Sequence, residues 1–69
     1  MHQADQILRI DEVISRTGLR RSSIYAMASQ GKFPKPIKLG ARASGFSLLE
    51  VQQWIAARIA ERDRGSKAA

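Results

Sequence analysis

The sequence contains no cysteine among its 69 residues. Disulfides and zinc sites with thiolate ligands are therefore excluded, and a reducing cytosol suits the chain. It also lacks the run of about 20 apolar residues that a membrane span requires. The first ten residues lack the apolar core of a signal peptide. We therefore expect a cytoplasmic domain that does not enter a membrane.

Acidic residues are absent from Val13 to Leu49, the middle of the chain. Seven of the 12 lysines and arginines fall inside this acid-free window: Arg16, Arg20, Arg21, Lys32, Lys35, Lys38 and Arg42. The net charge is +6 and the pI is about 10.9. A region with one sign of charge predicts an anionic partner.

Residues that could act in catalysis or bind a metal are also scarce. His2 is the single histidine and has no neighbouring partner for metal binding or acid–base work. Asp11 and Glu12 are adjacent, and adjacent helical residues do not face each other. The sequence shows no Ser/His/Asp set, no metal-binding cluster and no phosphate-binding glycine loop. We expect no enzymatic activity, no cofactor and no metal.

The length allows one small domain with a limited core. We place this domain at residues 7–63 and expect disordered tails at 1–6 and 64–69. The apolar run Ile7, Leu8 and Ile10 predicts a brief strand or an anchor on the core. A first helix is predicted over residues 11–17, where the acids of its first turn suit the helix dipole and Gly18 ends it.

A second helix is predicted over residues 21–29. Ile24, Met27 and Ala28 follow the spacing of one buried stripe. Gly31 ends this helix, and only residues 18–20 separate it from the first. Helix, short turn with glycine, helix is the pattern of a helix-turn-helix unit. On the opposite face the pattern places Ser22, Tyr25, Ala26 and Ser29.

A third helix is predicted to begin with a capping box formed by Ser47 and Glu50. Its apolar stripe consists of Leu48, Val51, Ile55 and Ile59, with Trp54 beside it as a core residue. Arg58 and Arg62 turn towards this stripe, so the last turns are expected to leave the core.

The segment GKFPKPIKLGAR, residues 31–42, predicts a stiff basic hairpin. Residues 37–39 and 44–46 form its two strands around a turn at 40–43. Alternation along the strands places Ile37, Leu39 and Phe46 on the core and lets Lys38 and Arg42 project outwards. The predicted fold is thus mainly α, a small winged helix-turn-helix with three helices and a short β-hairpin wing.

Three motifs, in this order and spacing, resemble the AlpA family of phage-type regulators: TGLRRSSIY (17–25), GKFPKPIKLGAR (31–42) and EVQQWI (50–55). The resemblance runs from Leu8 to Ile59. Members of this family are small winged helix-turn-helix proteins related to MerR-type DNA-binding domains and phage excisionases. The resemblance implies double-stranded DNA as the partner. It implies that the second helix enters the major groove and the wing follows the backbone or reaches a minor groove.

Carried over by position, the resemblance assigns Arg21, Ser22, Ser23 and Tyr25 to the recognition helix and Lys38 and Arg42 to the wing. Arg20 joins them because basic charge at a helix start opposes the dipole and is a poor choice for stability. The predicted DNA-binding residues are Arg20, Arg21, Ser22, Ser23, Tyr25, Lys38 and Arg42.

Three positions depart from the family pattern. Arg20 stands where the family usually has serine, which removes a helix cap worth about 1 kcal/mol unless Ser22 caps a helix that starts later. Ala26 stands where arginine is frequent, which removes a contact and changes the expected target. Phe46 replaces a common tryptophan, a change that the core can absorb.

Several functions remain open at this point. A transcription factor working with RNA polymerase and an excisionase assisting an integrase would share this fold. A third alternative is a protein-interaction module that binds an acidic partner. Since so small a monomer contacts few base pairs, several copies are expected to assemble cooperatively on DNA.

Overall fold

The computed structural model describes residues 4–68, which form three helices and three short strands. The elements are β1 (Ile7–Leu8), α1 (Ile10–Thr17), α2 (Arg21–Ser29), β2 (Ile37–Lys38), β3 (Ser44–Ser47) and α3 (Leu48–Ala68). This mainly helical arrangement with a small sheet confirms the predicted winged helix-turn-helix class. The bounds of α2 are those predicted, and α1 begins one residue earlier than predicted.

The sheet has three antiparallel strands in the order β1-β3-β2. The predicted hairpin is its β2–β3 half, and the apolar N-terminal run supplies β1 on the other side. Leu8 pairs with Phe46, and Ile37 pairs with Gly45. Of the two alternatives for the N-terminal run, a brief strand is therefore correct, and Leu8 is also buried in the core.

Glycines end α1 and α2, as predicted. Gly18 and Gly31 have φ angles of 74° and 77°, in the left-handed region that favours glycine. After α2, the Lys32 N–H donates to the Met27 carbonyl at 2.8 Å and the Gly31 N–H to the Ala28 carbonyl at 3.2 Å. This pair of bonds is a Schellman motif, which fixes the direction in which the chain leaves α2.

One apolar core joins all the helices to the sheet. Its buried members are Leu8, Val13, Ile24, Ala28, Phe33, Phe46 and Val51. Phe33 packs against Phe46 and Trp54, with ring centroids 6.0 and 4.9 Å apart. The half-buried Trp54 also donates its indole N–H to the Lys32 carbonyl at 2.8 Å. Trp54 thus ties α3 to the segment that follows α2.

The predicted orientation of β2 is wrong. Ile37 and Leu39 are 39% and 46% exposed, and of the three residues expected on the core only Phe46 lies there. Directly paired residues of antiparallel strands lie on the same face of the sheet. Because Lys38 pairs with Ser44, Lys38 shares the face of Phe46, while Ile37 shares the opposite face with Gly45. Phe33, which precedes the wing, is buried and packs against Phe46 instead.

The N-terminus of α3 is capped in part by a residue that lies far away along the sequence. Ser47 Oγ accepts the Glu50 N–H at 3.2 Å, as expected for one half of the capping box. The Asp5 carboxylate accepts the Ser47 hydroxyl at 2.5 Å and the Leu49 N–H at 3.1 Å. These bonds, led by that from Ser47, hold the pKa of Asp5 below its ordinary value. Asp5, which the sequence analysis placed in a tail at 1–6, is thus bound to α3, while residues 1–3 of that tail lie outside the described residues.

α3 continues to Ala68, beyond the predicted domain end at residue 63. All residues from Ala56 to Gly65 are exposed, so this part of the helix leaves the core, as its sequence pattern predicts. Good helix formers and an Arg58–Glu61 ion pair at 2.6 Å support it. Helical structure at 64–68 differs from the predicted tail, while His2 and Ala69 lie outside the described residues. No helix within residues 4–68 is long and apolar enough to cross a membrane.

Candidate nucleic-acid interface

The first turn of α2 offers free backbone donors to an anion. Arg20 occupies the N-cap position with an extended backbone (φ −74°, ψ 155°) and makes no side-chain cap hydrogen bond. No acidic residue lies in the first turn. The first N–H groups of a helix have no intrahelical acceptor, and the helix dipole favours negative charge there. Because α2 begins at Arg21, Ser22 does not cap a later start, and this end of the helix is suited to a phosphate.

A ridge of small side chains runs along the exposed side of α2. Ser22, Ala26 and Ser29 are all exposed, and at about 100° per residue they lie within about 60° of one another. We call these three residues the α2 ridge. Ser29 Oγ donates to the Ala26 carbonyl at 3.2 Å. Such short side chains allow the helix backbone to approach a partner surface closely.

Tyr25 links the sheet to the cationic start of α2. Its ring centroid lies 6.1 Å from that of Phe46, and the Arg21 guanidinium lies 5.9 Å from the centre of its ring. A cation–π contact at an exposed site contributes about 0.5–1 kcal/mol. Tyr25 is half-buried, so it anchors α2 and at the same time positions Arg21.

Ser23 is not brought together with the other predicted residues of α2. It is half-buried, and it lies about 100° around the helix from Ser22 and about 160° from Tyr25. The candidate set also lacked Ser29, which belongs to the α2 ridge. Its spacing of seven residues from Ser22, nearly two helical turns, is the sequence signal that identifies it.

The wing presents its two predicted cations from different places. Lys38 is exposed on β2, on the sheet face that carries Phe46 and therefore on the side where Tyr25 packs. Arg42 is exposed in the turn at the tip of the wing. This turn is closed by the Leu39 and Gly40 N–H groups, which both donate to the Ala43 carbonyl, at 2.8 and 3.2 Å. The tip is thus an ordered turn that holds Arg42 in solvent.

All seven cations of the acid-free window are exposed. The two ion pairs found within residues 4–65, Arg58–Glu61 and Arg62–Asp63, both lie in α3. None of the seven cations is therefore neutralised by a carboxylate in this part of the chain. Residues 4–68 also contain no group of three side chains able to hold a metal ion. The acid-free window gives the α2 and wing regions a positive surface.

A helix-turn-helix unit beside an ordered basic hairpin defines a protein of the winged helix-turn-helix class. The chain belongs to the family described as prophage CP4-57 regulatory protein (AlpA), which matches residues 6–59. This match confirms the family resemblance of the three sequence motifs.

Two relatives are similar over most of their lengths. "Uncharacterized protein ORF88" of Enterobacteria phage P4 is 41% identical over 61 residues, which cover 88% of this chain and 69% of the relative. "DNA-binding transcriptional activator AlpA" of Escherichia coli (strain K12) is 33% identical over 61 residues, covering 80% of this chain and 87% of the relative.

Proposed function

We propose that this protein is a sequence-specific DNA-binding transcriptional regulator of phage or mobile-element origin. The observation that carries the proposal is the uncapped, cationic start of α2, continued by the exposed α2 ridge. The similarity to a protein named as a DNA-binding transcriptional activator supports it. The protein would act by binding and not by catalysis.

In this proposal α2 enters the major groove, which is wide enough to admit an α-helix. Arg20, Arg21 and the free N–H groups of the first turn contact phosphates and fix the position of the helix. Ser22 and Ser29 lie on the ridge that faces the base edges, with Ala26 between them. Since these side chains are short, a few hydrogen bonds and DNA shape supply the specificity. Ser23, which lies off the ridge, would contribute least.

The wing clamps the backbone beside the recognition helix. Lys38 projects on the side of the sheet where α2 packs, and Arg42 extends from the tip to a neighbouring phosphate or the minor groove. Neutralising phosphates releases counterions, and this sequence-independent term supplies most of the affinity. The additional affinity for the preferred DNA sequence is then smaller, and the α2 ridge supplies it.

A salt series is the direct test of this proposal. Affinity is measured by fluorescence anisotropy for random duplex DNA and for DNA from the genomic neighbourhood of the protein. We expect a steep loss of affinity with salt, with a log–log slope of about 0.9 for each neutralised phosphate, and tighter binding to the genomic DNA. Equal and weak binding to both DNAs would contradict the proposal.

Arg42→Ala should weaken binding to every DNA sequence by a similar factor. Losing one phosphate contact should also lower the log–log salt slope by about 0.9. Ser22→Ala is the matched comparison, because it should weaken the preferred site more than random duplex. An unchanged slope and affinity in Arg42→Ala would show that the tip of the wing does not contact DNA.

As an activator, the protein would contact RNA polymerase, and several copies would bind neighbouring sites cooperatively because one copy covers few base pairs. Transcription in vitro from a promoter carrying the preferred site tests this role. Stimulation of integrase-dependent excision, without any effect on transcription, would instead assign the protein to recombination.

A further inference from the structure

An open groove of about 880 Å³ lies between α3 and the segment that follows α2. Met27 forms one wall, Lys32, Pro34 and Lys35 form the rim, and Trp54 and Arg58 line the α3 side. We call this space the Trp54 groove. Its shape is fixed by the Schellman motif after α2 and by the 2.8 Å hydrogen bond from Trp54 Nε1 to the Lys32 carbonyl.

The Trp54 groove faces away from the α2 ridge. Met27 lies five residues after Ser22, which at about 100° per residue places it about 140° around the helix. A helix seated in the major groove through its ridge would therefore leave the Met27 side open. Lys35 also lines a pocket beside Tyr25 and Ser29. The rest of the groove is a surface that DNA binding, as proposed above, does not use.

The groove combines a partly apolar floor with a cationic rim. Met27, Pro34 and Trp54 are half-buried, whereas Lys32, Lys35 and Arg58 are exposed. Arg58 is held in place, because its guanidinium lies 5.6 Å from the centre of the Trp54 ring and 2.6 Å from the Glu61 carboxylate. The groove also contains one carboxylate, that of Glu50.

We propose that the Trp54 groove binds an acidic segment of a partner protein. An apolar side chain of that segment would rest on Met27 and Pro34, while its carboxylates would pair with Lys32 and Lys35 and would share Arg58 with Glu61. Charge complementarity favours an acidic partner, since three cations and one carboxylate line the groove and only Arg58 among the cations is paired, with Glu61.

Two features favour a peptide over a nucleic acid. The Glu50 carboxylate inside the groove would repel a phosphate backbone, whereas a peptide can place a polar group opposite it. Trp54 is also poorly suited to stacking on a base, because Arg58 covers its ring and Phe33 contacts it edge-on with centroids 4.9 Å apart. The proposal goes beyond DNA binding and does not depend on it.

Trp54 is the single tryptophan of the chain, so its fluorescence reports on the groove. The probe is a short synthetic peptide in which one leucine is flanked by aspartates and glutamates. A matched peptide replaces these acids with asparagine and glutamine. Without DNA, the acidic peptide should shift Trp54 emission and give a saturable calorimetric isotherm, and the amide peptide should do neither. Equal binding of both peptides, or of neither, would overturn the proposal.

A pair of charge-matched double variants locates the site. Lys32→Gln with Arg58→Gln removes two groove cations and one α3 ion pair. Arg62→Gln with Arg64→Gln removes two cations outside the groove and the other α3 ion pair. The groove variant should bind the acidic peptide about five- to tenfold more weakly, and the control should bind it like the unmodified protein. Circular dichroism verifies that both are folded.

Measuring peptide binding in the presence of DNA distinguishes the remaining outcomes of the experiment. The peptide should bind the DNA-saturated protein as tightly as the free protein. If DNA displaces the peptide, or if the groove variant loses more DNA affinity than its control, the groove belongs to the DNA surface and the proposal fails. Failure of the protein to bind DNA at all would contradict the proposed function and leave the peptide result unaffected.

Discussion

The three helices of this protein begin in two different ways. At α1, the Glu12 carboxylate accepts the Arg9 N–H at 3.0 Å, and two acids lie in the first turn. At α3, Ser47 and Asp5 together accept the Glu50 and Leu49 N–H groups. α2 has neither a side-chain cap nor an acid, and it begins beside two arginines.

This difference contrasts helix starts that the protein itself stabilises with one that it leaves open to a ligand. Caps and first-turn acids stabilise a helix by satisfying its free N–H groups and its dipole. At α3 the protein uses both devices, whereas α1, whose N-cap residue Arg9 makes no side-chain cap bond, uses two first-turn acids, one of which accepts the Arg9 N–H. At α2 it leaves the N–H groups free and adds positive charge, which lowers the stability of the isolated helix but favours an anionic ligand. In our proposal, the phosphate of bound DNA takes the place of the missing cap.

Arg21→Glu should have the largest effect, because it places an acid at the start of α2, the one helix start that lacks an acid. DNA affinity should fall about a hundredfold, because one phosphate contact is lost and a repulsive charge is added. The melting temperature should stay nearly unchanged, since a first-turn acid gains about as much from the dipole as the lost contact with Tyr25 contributed. Anisotropy and thermal melting measure the two quantities.

Arg64→Glu is the control for this substitution, because it makes the same charge change on the exposed end of α3. Its effect on DNA affinity should be small and should disappear at higher salt. Equal losses in the two variants would mean that only net charge matters and that the start of α2 has no special role.

Ser47→Ala should destabilise the fold by about 1–2 kcal/mol, because it removes a cap and the hydroxyl that donates to Asp5. For a domain of this size the melting temperature falls by about 4–8 °C per kcal/mol. Ser22→Ala in the first turn of α2 should change stability by less than about 0.5 kcal/mol in either direction, as expected for an exposed side chain that caps nothing. Similar losses in the two variants would remove the distinction between α3 and α2.

Arg20→Ser should raise stability by about 1 kcal/mol, because serine at the N-cap can accept an N–H of the first turn of α2. DNA binding should weaken by a few-fold at low salt, as one cation is lost. Arg20→Ala is the matched control that removes the charge without supplying a cap. The idea that α2 is left open for a ligand would be wrong if serine and alanine gave the same stability.

The smallest expected effect is a pH dependence of stability that arises from Asp5 at the capped end of α3. The folded pKa of Asp5 lies below its ordinary value of 3.8 because Ser47 and Leu49 donate to the carboxylate. Its contribution to stability is therefore complete above this ordinary value and is lost as the pH falls through the lower folded pKa. Acid titration of unfolding should show this loss in the unmodified protein and not in Asp5→Asn. Identical profiles would show that the Asp5 cap is not formed in solution.

The local features of this fold could be predicted from the sequence. The bounds of α2 follow from the stripe of Ile24 and Ala28 and from Gly31, whose left-handed backbone ends the helix. The open start of α2 follows from Arg20, which cannot accept a hydrogen bond through its side chain. The exposure of the basic residues follows from the cost of burying charge.

The features that depend on distant contacts could not be predicted in this way. The cap on α3 comes from Asp5, 42 residues before Ser47, and no local pattern reveals it. The faces of β2 were reversed because a strand pattern does not identify the partner residue, and a shift of one residue exchanges the two faces. Ser23 entered the candidate DNA-binding set because the family motif was carried over by position, and a motif does not give the angle around the helix at which each residue lies.

The contact between Asp5 and α3 also has a consequence for the time at which the protein folds. A ribosome makes residues 5–8 well before their partners at 46–49, which appear only after the helices and the wing between them have been synthesised. Closing so long a loop costs entropy before any contact stabilises it. The edge strand and the first turn of α3 should therefore form together, late in synthesis, and a nascent chain stalled before Ser47 should hold neither.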